Sequence, residues 1–226
     1  QTVTGLTNGS GYAFRVAAIN ANGVGLSSAG SALVVPRTVP AAPSPPTATP
    51  GNASATIRWT VPSSNGGAPV TGYVITPYLA GIAQPSRTFA STATNQSISA
   101  LTNGKSYRFK VAAKNVAGTG AQSVLTNAVV VGTPTAPRTP SATRGSSRAT
   151  VTWVVPLSNN GAPITGYIVT PFKAGIAQTP RVFNSTATTQ SVSGLTNGAS
   201  YTFKIAAKNA RGTGAQSVAT SAVIPT

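Results

Sequence analysis

The chain contains no Asp, no Glu, no His, no Cys and no Met, against 16 Lys and Arg, for a formal net charge of +16. About a quarter of an ordinary soluble domain is charged; here the fraction is 7%, all of one sign. No carboxylate pair exists for glycosidase or aspartic-protease chemistry. No Ser/His/Asp or Cys/His nucleophile can be assembled. The side chains that ligate zinc or calcium are missing, as is any disulfide or side-chain salt bridge. A Ser–Lys dyad such as Lys105 with Ser106 is formally available, but strand neighbours point to opposite faces. The chain therefore reads as non-catalytic, with no cofactor and no metal.

What remains is enough to fold. Apolar residues are 40% of the 226, and Gly 23 with Pro 18 stay below the roughly 25–30% that marks low complexity. No apolar run reaches the ~18 residues of a membrane span. The start, Gln1-Thr2-Val3-Thr4-Gly5, has neither Met nor a basic-then-apolar leader pattern, so the natural chain is expected to extend further N-terminally.

Self-similarity organises the sequence. Gly81-Ile82-Ala83-Gln84 returns at Gly175-Ile176-Ala177-Gln178, and the heptapeptide GTGAQSV at 118–124 returns at 212–218. Trp59 pairs with Trp153, Tyr73 with Tyr167, Leu101 with Leu195 and Tyr107 with Tyr201. A third, partial copy is marked by Leu6-Thr7-Asn8-Gly9 and Tyr12. The expected division is a truncated unit at 1–37 and whole units at 38–132 and 133–226.

Each unit reads as β-structure. Ala55, Ile57, Trp59 and Val61 alternate with Thr56, Arg58 and Thr60, and Tyr107, Phe109, Val111 and Ala113 alternate with Arg108, Lys110 and Ala112. That period of two marks strands with one buried face. Asn-Gly at Asn65, Asn103, Asn160 and Asn197 marks turns. The Pro-rich runs at 36–50 and 134–140 suit linkers and edge strands, where a missing ladder donor is tolerated.

Three motifs carry a family resemblance: Ala-x-Ile-x-Trp at 55–59, Gly-Tyr-Val-Ile at 72–75, and Leu-x5-Tyr-x-Phe-x-Val-x-Ala at 101–113. Together they resemble tandem fibronectin type III modules over nearly the whole chain. Their wording is most similar to modules of secreted or surface proteins of actinobacterial-type bacteria. The resemblance implies an all-β fold, a seven-stranded, immunoglobulin-like Greek-key sandwich per module, arranged as beads on a string. It implies core positions for Trp59 and Trp153 and "tyrosine corners" at Tyr12, Tyr107 and Tyr201. Asn103 and Asn197 stand where that family often has Pro, so a local turn difference is expected there.

The basic residues gather on the outward side of the Tyr-x-Phe strand: Arg15 in the first unit, Arg108, Lys110 and Lys114 in the second, Lys204 and Lys208 in the third, with Arg211 just beyond. An uncompensated basic face attracts polyanions such as an anionic cell-wall polymer or acidic polysaccharide; the plainer reading is a solvated strand face that preserves solubility. Aromatics are expected to point inward, which argues against base stacking on nucleic acid. Arg211-Gly212-Thr213 lacks the acid of an integrin-binding tripeptide and reads as a Gly-rich hairpin loop. The sequons at Asn8, Asn52, Asn95 and Asn184 are of a kind that arises by chance in a Ser/Thr/Asn-rich chain. Three roles are expected from the resemblance: an extracellular structural or adhesive array that contacts neighbouring modules or copies of itself in a fibre; polyanion binding; or an accessory region of a secreted polysaccharide hydrolase or virion fibre.

No side chain titrates between roughly pH 2 and pH 9, because Asp, Glu and His, whose reference values lie in that window, are missing and Lys and Arg lie above it, and stability depends on pH only where folded and unfolded states bind different numbers of protons. The melting temperature should therefore stay flat from about pH 3 to pH 9 apart from terminal effects; calorimetry showing a fall of more than a few degrees at pH 3 would contradict this. Since every long-range side-chain charge interaction is repulsive, NaCl at about 0.3 M should stabilise by screening, and destabilisation by salt would count against it.

Overall fold

A computed structural model describes residues 1–226. It contains strands and no helix, hence no helix long and apolar enough to cross a membrane. Residues 1–37 hold β1 (Ile19–Asn20) and β2 (Gly23–Val24). Residues 38–132 hold β3 (Thr47–Pro50), β4 (Ala55–Arg58), β5 (Gly72–Leu79), β6 (Ile82–Ala83), β7 (Arg87–Phe89), β8 (Asn95–Ile98), β9 (Ser106–Asn115), β10 (Gly118–Gln122) and β11 (Val129–Val130). Residues 133–226 hold β12 (Arg138–Gly145), β13 (Arg148–Val154), β14 (Ile164–Lys173), β15 (Ile176–Ala177), β16 (Arg181–Phe183), β17 (Thr189–Ser193), β18 (Tyr201–Asn209) and β19 (Gly212–Gln216).

The chain divides into two compact units. One comprises Gln1–Ala48, Ile57–Gln96 and Arg108–Asn127; the other comprises Thr49–Thr56, Ser97–Tyr107 and Ala128–Thr226. Residues 38–132 thus contribute to both.

Residues 133–226 lie wholly in the second unit and show the β-sandwich most plainly. One sheet runs β12-β13-β17; the other runs β15-β14-β18-β19, with β16 also on β14. Since β15 and β16 are two pieces of one edge, the strand set is the seven implied by the family resemblance. Period-two burial puts Ala149, Val151 and Trp153 of β13 and Val192 of β17 against Tyr167 and Val169 of β14 and Tyr201, Phe203 and Ile205 of β18. Trp153 meets Tyr167 edge-on at 4.9 Å between ring centroids, a favourable aromatic geometry. Its indole N–H is buried with no hydrogen-bond partner, so this core rests on packing. Burial pushes the Tyr167 hydroxyl pKa up.

The same sheet orders recur in 38–132: β3-β4-β8 and β10-β9-β5-β6, with β7 on β5 and β11 on β9. Within the first unit Trp59 again meets Tyr73 edge-on at 4.9 Å. All three tyrosine corners are present. The hydroxyls of Tyr12, Tyr107 and Tyr201 accept from the amides of Thr7 (2.9 Å), Thr102 (3.1 Å) and Thr196 (3.2 Å). Bonds from both Thr7 and Thr196 hold the Tyr12 and Tyr201 hydroxyls below the usual tyrosine range.

The Pro-rich segments lie as expected. β3 and β12 are sheet edges, and the register of β12 shifts between Arg138 and Ser141, where Pro140 supplies no N–H. One alternation ends early. Val61 is 62% exposed, because β4 stops at Arg58 and Val61 is followed by Pro62, which restricts its backbone.

The Asn positions that replace the family's Pro tie turns together. Asn197 Oδ1 accepts from Ser147 N at 2.8 Å, and Asn103 Oδ1 accepts from Ala53 N at 2.7 Å within the second unit. The linkers are held with equal economy. In the first unit Asn115 Nδ2 donates to Thr38 O (2.8 Å) and Asn65 O (2.7 Å); in the second, Asn160 Nδ2 donates to Thr133 O (2.7 Å). The repeated heptapeptide is explained here. A Cβ on Gly120 would lie 2.0 Å from Pro40 O, and one on Gly214 would lie 2.0 Å from Pro134 O, so linker backbone seats directly on glycine.

Residues 1–37 carry the same pattern without a covering sheet. Val16 is 72% exposed where its counterparts Val111 and Ile205 are fully buried.

Gly214→Ala should destabilise residues 133–226 by on the order of 1–3 kcal/mol, the scale of forced overpacking. Trp153→Ala should cost about 3–5 kcal/mol. Urea titration followed by circular dichroism tests both, and a Gly214→Ala chain as stable as the wild type would refute the seating of the linker.

Candidate functional site: the outward face of the Tyr-x-Phe sheets

In the first unit β9 lies between β10 and β5. Because Phe109 and Val111 of β9 face the core, Arg108, Lys110 and Lys114 project outward. Arg108 and Lys114 are exposed and Lys110 is half-buried. Lys110 Nζ sits over the Tyr78 ring, 5.5 Å from its centroid. The Tyr78 hydroxyl donates to Gln122 Oε1 (3.3 Å), Gln122 Nε2 donates to Thr76 Oγ1 (3.1 Å), and Thr76 and Ser86 share a 2.8 Å hydroxyl bond. Thr76 is buried beneath this network.

The second unit repeats the arrangement on β14, β18 and β19. Thr170 lies opposite Lys204 and Gly166 opposite Lys208. Lys204 Nζ stands 5.3 Å over the Phe172 ring, and Gln216 Nε2 donates to Thr170 Oγ1 (3.2 Å). Thr202 occupies the place of Arg108, so the third copy carries one cation fewer on this face.

The expectation that aromatics point only inward is corrected. Tyr78 and Phe172 stand on the outer face, each beside a lysine. The signal lay in strand parity: Tyr73 and Ile75 face inward, so a residue five places beyond Tyr73 faces outward. Thr76, Gln122, Thr170 and Gln216 were not singled out from sequence, because the strands that bring them together are separated by more than forty residues.

The predicted site residues are not all brought together. Lys110 and Lys204 occupy equivalent aromatic-backed positions, while Arg108, Lys114 and Lys208 flank them. Arg15 is exposed between Phe14 and Val16, whose carbonyls accept from the amides of Ser31 and Ser28. Arg211 leaves the face altogether. It is half-buried, and its guanidinium donates to Val130 O (2.6 Å), to Asn160 O and to Gly161 O (3.2 Å). Burial lowers its pKa from the ordinary arginine value.

Chemically the face offers ammonium groups backed by π-electrons, with amide and hydroxyl groups alongside. It can attract and hydrogen-bond anions. It holds no group of His, Cys, Asp or Glu that could bind a metal ion.

Comparison with known proteins adds three relatives and a family. The Fibronectin type III domain family matches residues 41–129 and 135–223. The chain is 30% identical over 233 residues to Myomesin-2 of Homo sapiens, covering 94% of this chain and 15% of that protein. It is 36% identical over 194 residues to Chitinase A1 of Niallia circulans, covering 77% of this chain and 25% of that protein. It is 29% identical over 242 residues to Exoglucanase B of Cellulomonas fimi, covering all of this chain and 21% of that protein. The chain thus spans a quarter or less of each of these relatives.

Proposed function

Because the chain belongs to the fibronectin type III family, we propose that it is a non-catalytic spacer region of an extracellular polypeptide, positioning other domains of a longer chain. The observation that carries this reading is the repeated joint, in which the carbonyls of Pro40 and Pro134 are seated on Gly120 and Gly214, with a neighbouring linker carbonyl held by Asn115 in one copy and by the non-equivalent Asn160 in the other. A side-chain set for catalysis is missing from both sandwiches, whereas the seat of linker proline on glycine recurs at equivalent positions, Gly120 with Pro40 and Gly214 with Pro134. The likeness to a chitinase and an exoglucanase over the module region supports an accessory place beside a secreted polysaccharide-degrading domain.

A second reading is favoured by the aromatic-backed lysines. Lys110 and Lys204, with Arg108, Lys114 and Lys208, would dock a polyanion such as an anionic cell-wall polymer or acidic polysaccharide. Such binding is dominated by charge and weakens steeply with salt.

Passing the full chain over immobilised heparin, teichoic acid and chitin, with a salt gradient, separates the two. The spacer reading expects release from all three by physiological salt, about 0.15 M, where the screening length is ~8 Å. Retention beyond that point, abolished by the double variant Lys110→Gln/Lys204→Gln, would replace it with the binding reading.

A further inference from the structure

The turn between β18 and β19 carries an arginine that no ligand reading accounts for. Its backbone is fixed first: Arg211 N donates to Asn209 Oδ1 at 2.9 Å, and Asn209 Nδ2 donates to Asn159 O at 3.0 Å. The side chain then reaches three main-chain oxygens of different origin. Asn160 O and Gly161 O belong to a turn of the 133–226 module, and Val130 O, 81 positions away, belongs to β11. β11 is a strand of the preceding module, paired to β9 through Val130 and Ser106. All of these residues lie within the second compact unit.

The receiving turn is built for this contact. Asn160 is buried with φ 51°. Its side chain is held at both ends, Nδ2 by Thr133 O and Oδ1 by the Ser158 hydroxyl. Gly161 comes close to Val130: a Cβ there would stand 3.5 Å from Val130 Cβ and 3.8 Å from both terminal nitrogens of Arg211. A guanidinium presents its donors in a rigid fork, so one residue can engage carbonyls from both modules. Burial opposes the charge, and with no carboxylate anywhere in the chain the carbonyl dipoles alone compensate it.

The equivalent turn of the preceding module carries Ala117 in the place of Arg211. Ala117 N donates to Asn115 Oδ1 at 2.8 Å, the same local bond that fixes Arg211, but the methyl side chain reaches nothing. We propose that Arg211 is an inter-module latch, coupling the 38–132 module to the 133–226 module through Val130 O, and that the Ala117/Arg211 difference makes successive joints of the array unequal.

The full chain has one tryptophan in each module, Trp59 and Trp153, so 5-fluorotryptophan labelling gives separate ¹⁹F NMR signals whose thermal unfolding can be followed in one sample. Arg211→Ala is expected to lower the midpoints of both signals by several degrees, while Arg144→Ala, which removes an exposed charge, lowers neither. A shift of the Trp153 signal alone would reduce Arg211 to a turn brace inside its own module and overturn the proposal, as would no shift at all. Arg211→Lys keeps the charge without the fork and is expected to behave like Arg211→Ala; wild-type midpoints for both signals in that variant would overturn the role given to the fork.

Discussion

In a chain without side-chain carboxylates, the donors withdrawn from water can be met only by neutral dipoles, and the two indole N–H groups are the ones left unmet. Buried polar groups left unmet are costly, so the amides and hydroxyls of Asn, Ser and Thr take over the work that acids share elsewhere. The Tyr-x-Phe segments show it in all three copies. The amide of Phe14 donates to the Ser31 hydroxyl, Phe109 to Thr126 and Phe203 to Thr220; Val16 donates to Ser28, Val111 to Ser123 and Ile205 to Ser217. Each of these hydroxyls passes its own proton to a carbonyl one residue on. The linkers follow the same rule through Asn115 and Asn160, and the half-buried Arg211 follows it too. None of these acceptors titrates, so the polar framework has no pH below which it comes apart.

The sandwich itself was legible because its determinants are local. Trp153, Tyr167, Phe203 and Ile205 announce their faces by alternation, and the repeat confirms each assignment twice. The joints were not legible, for a geometric reason. Gly120 and Pro40 are eighty positions apart in the chain, and nothing in GTGAQSV says that its second glycine is there for a carbonyl oxygen and not for a turn. Arg211 presented the same difficulty. It was grouped with the outward lysines for lying just beyond Lys208, but the strand ends at Asn209, and beyond a strand's end parity no longer fixes direction. Tyr78 was a different kind of miss, since the parity that places it outward follows from Tyr73 and Ile75 of the same strand.

Residues 1–37 show how far sequence pattern alone carries. Tyr12-x-Phe14-x-Val16 matches Tyr107-x-Phe109-x-Val111, and the tyrosine corner and hydroxyl bonds form in both. Yet the second copy is a strand of 10 residues, while the first forms an isolated bridge at Tyr12 and Val34 and the two-residue strand β1 paired with β2. Strand preference of this type measures packing against neighbours more than intrinsic backbone preference.

The outward lysines show why discarding acids is tolerable at the surface. An exposed ion pair is worth roughly 0–1 kcal/mol, and a lysine over an exposed ring roughly 0.5–1 kcal/mol. Placing Lys110 over Tyr78 and Lys204 over Phe172 therefore supplies at close range about what a partner carboxylate would. What the rings cannot supply is neutrality. A quadrupole's field falls off within a few ångströms, so the net charge acts undiminished at longer range. The face is thus locally satisfied and globally uncompensated: stable as folded, and still attractive to any polyanion that approaches within a screening length.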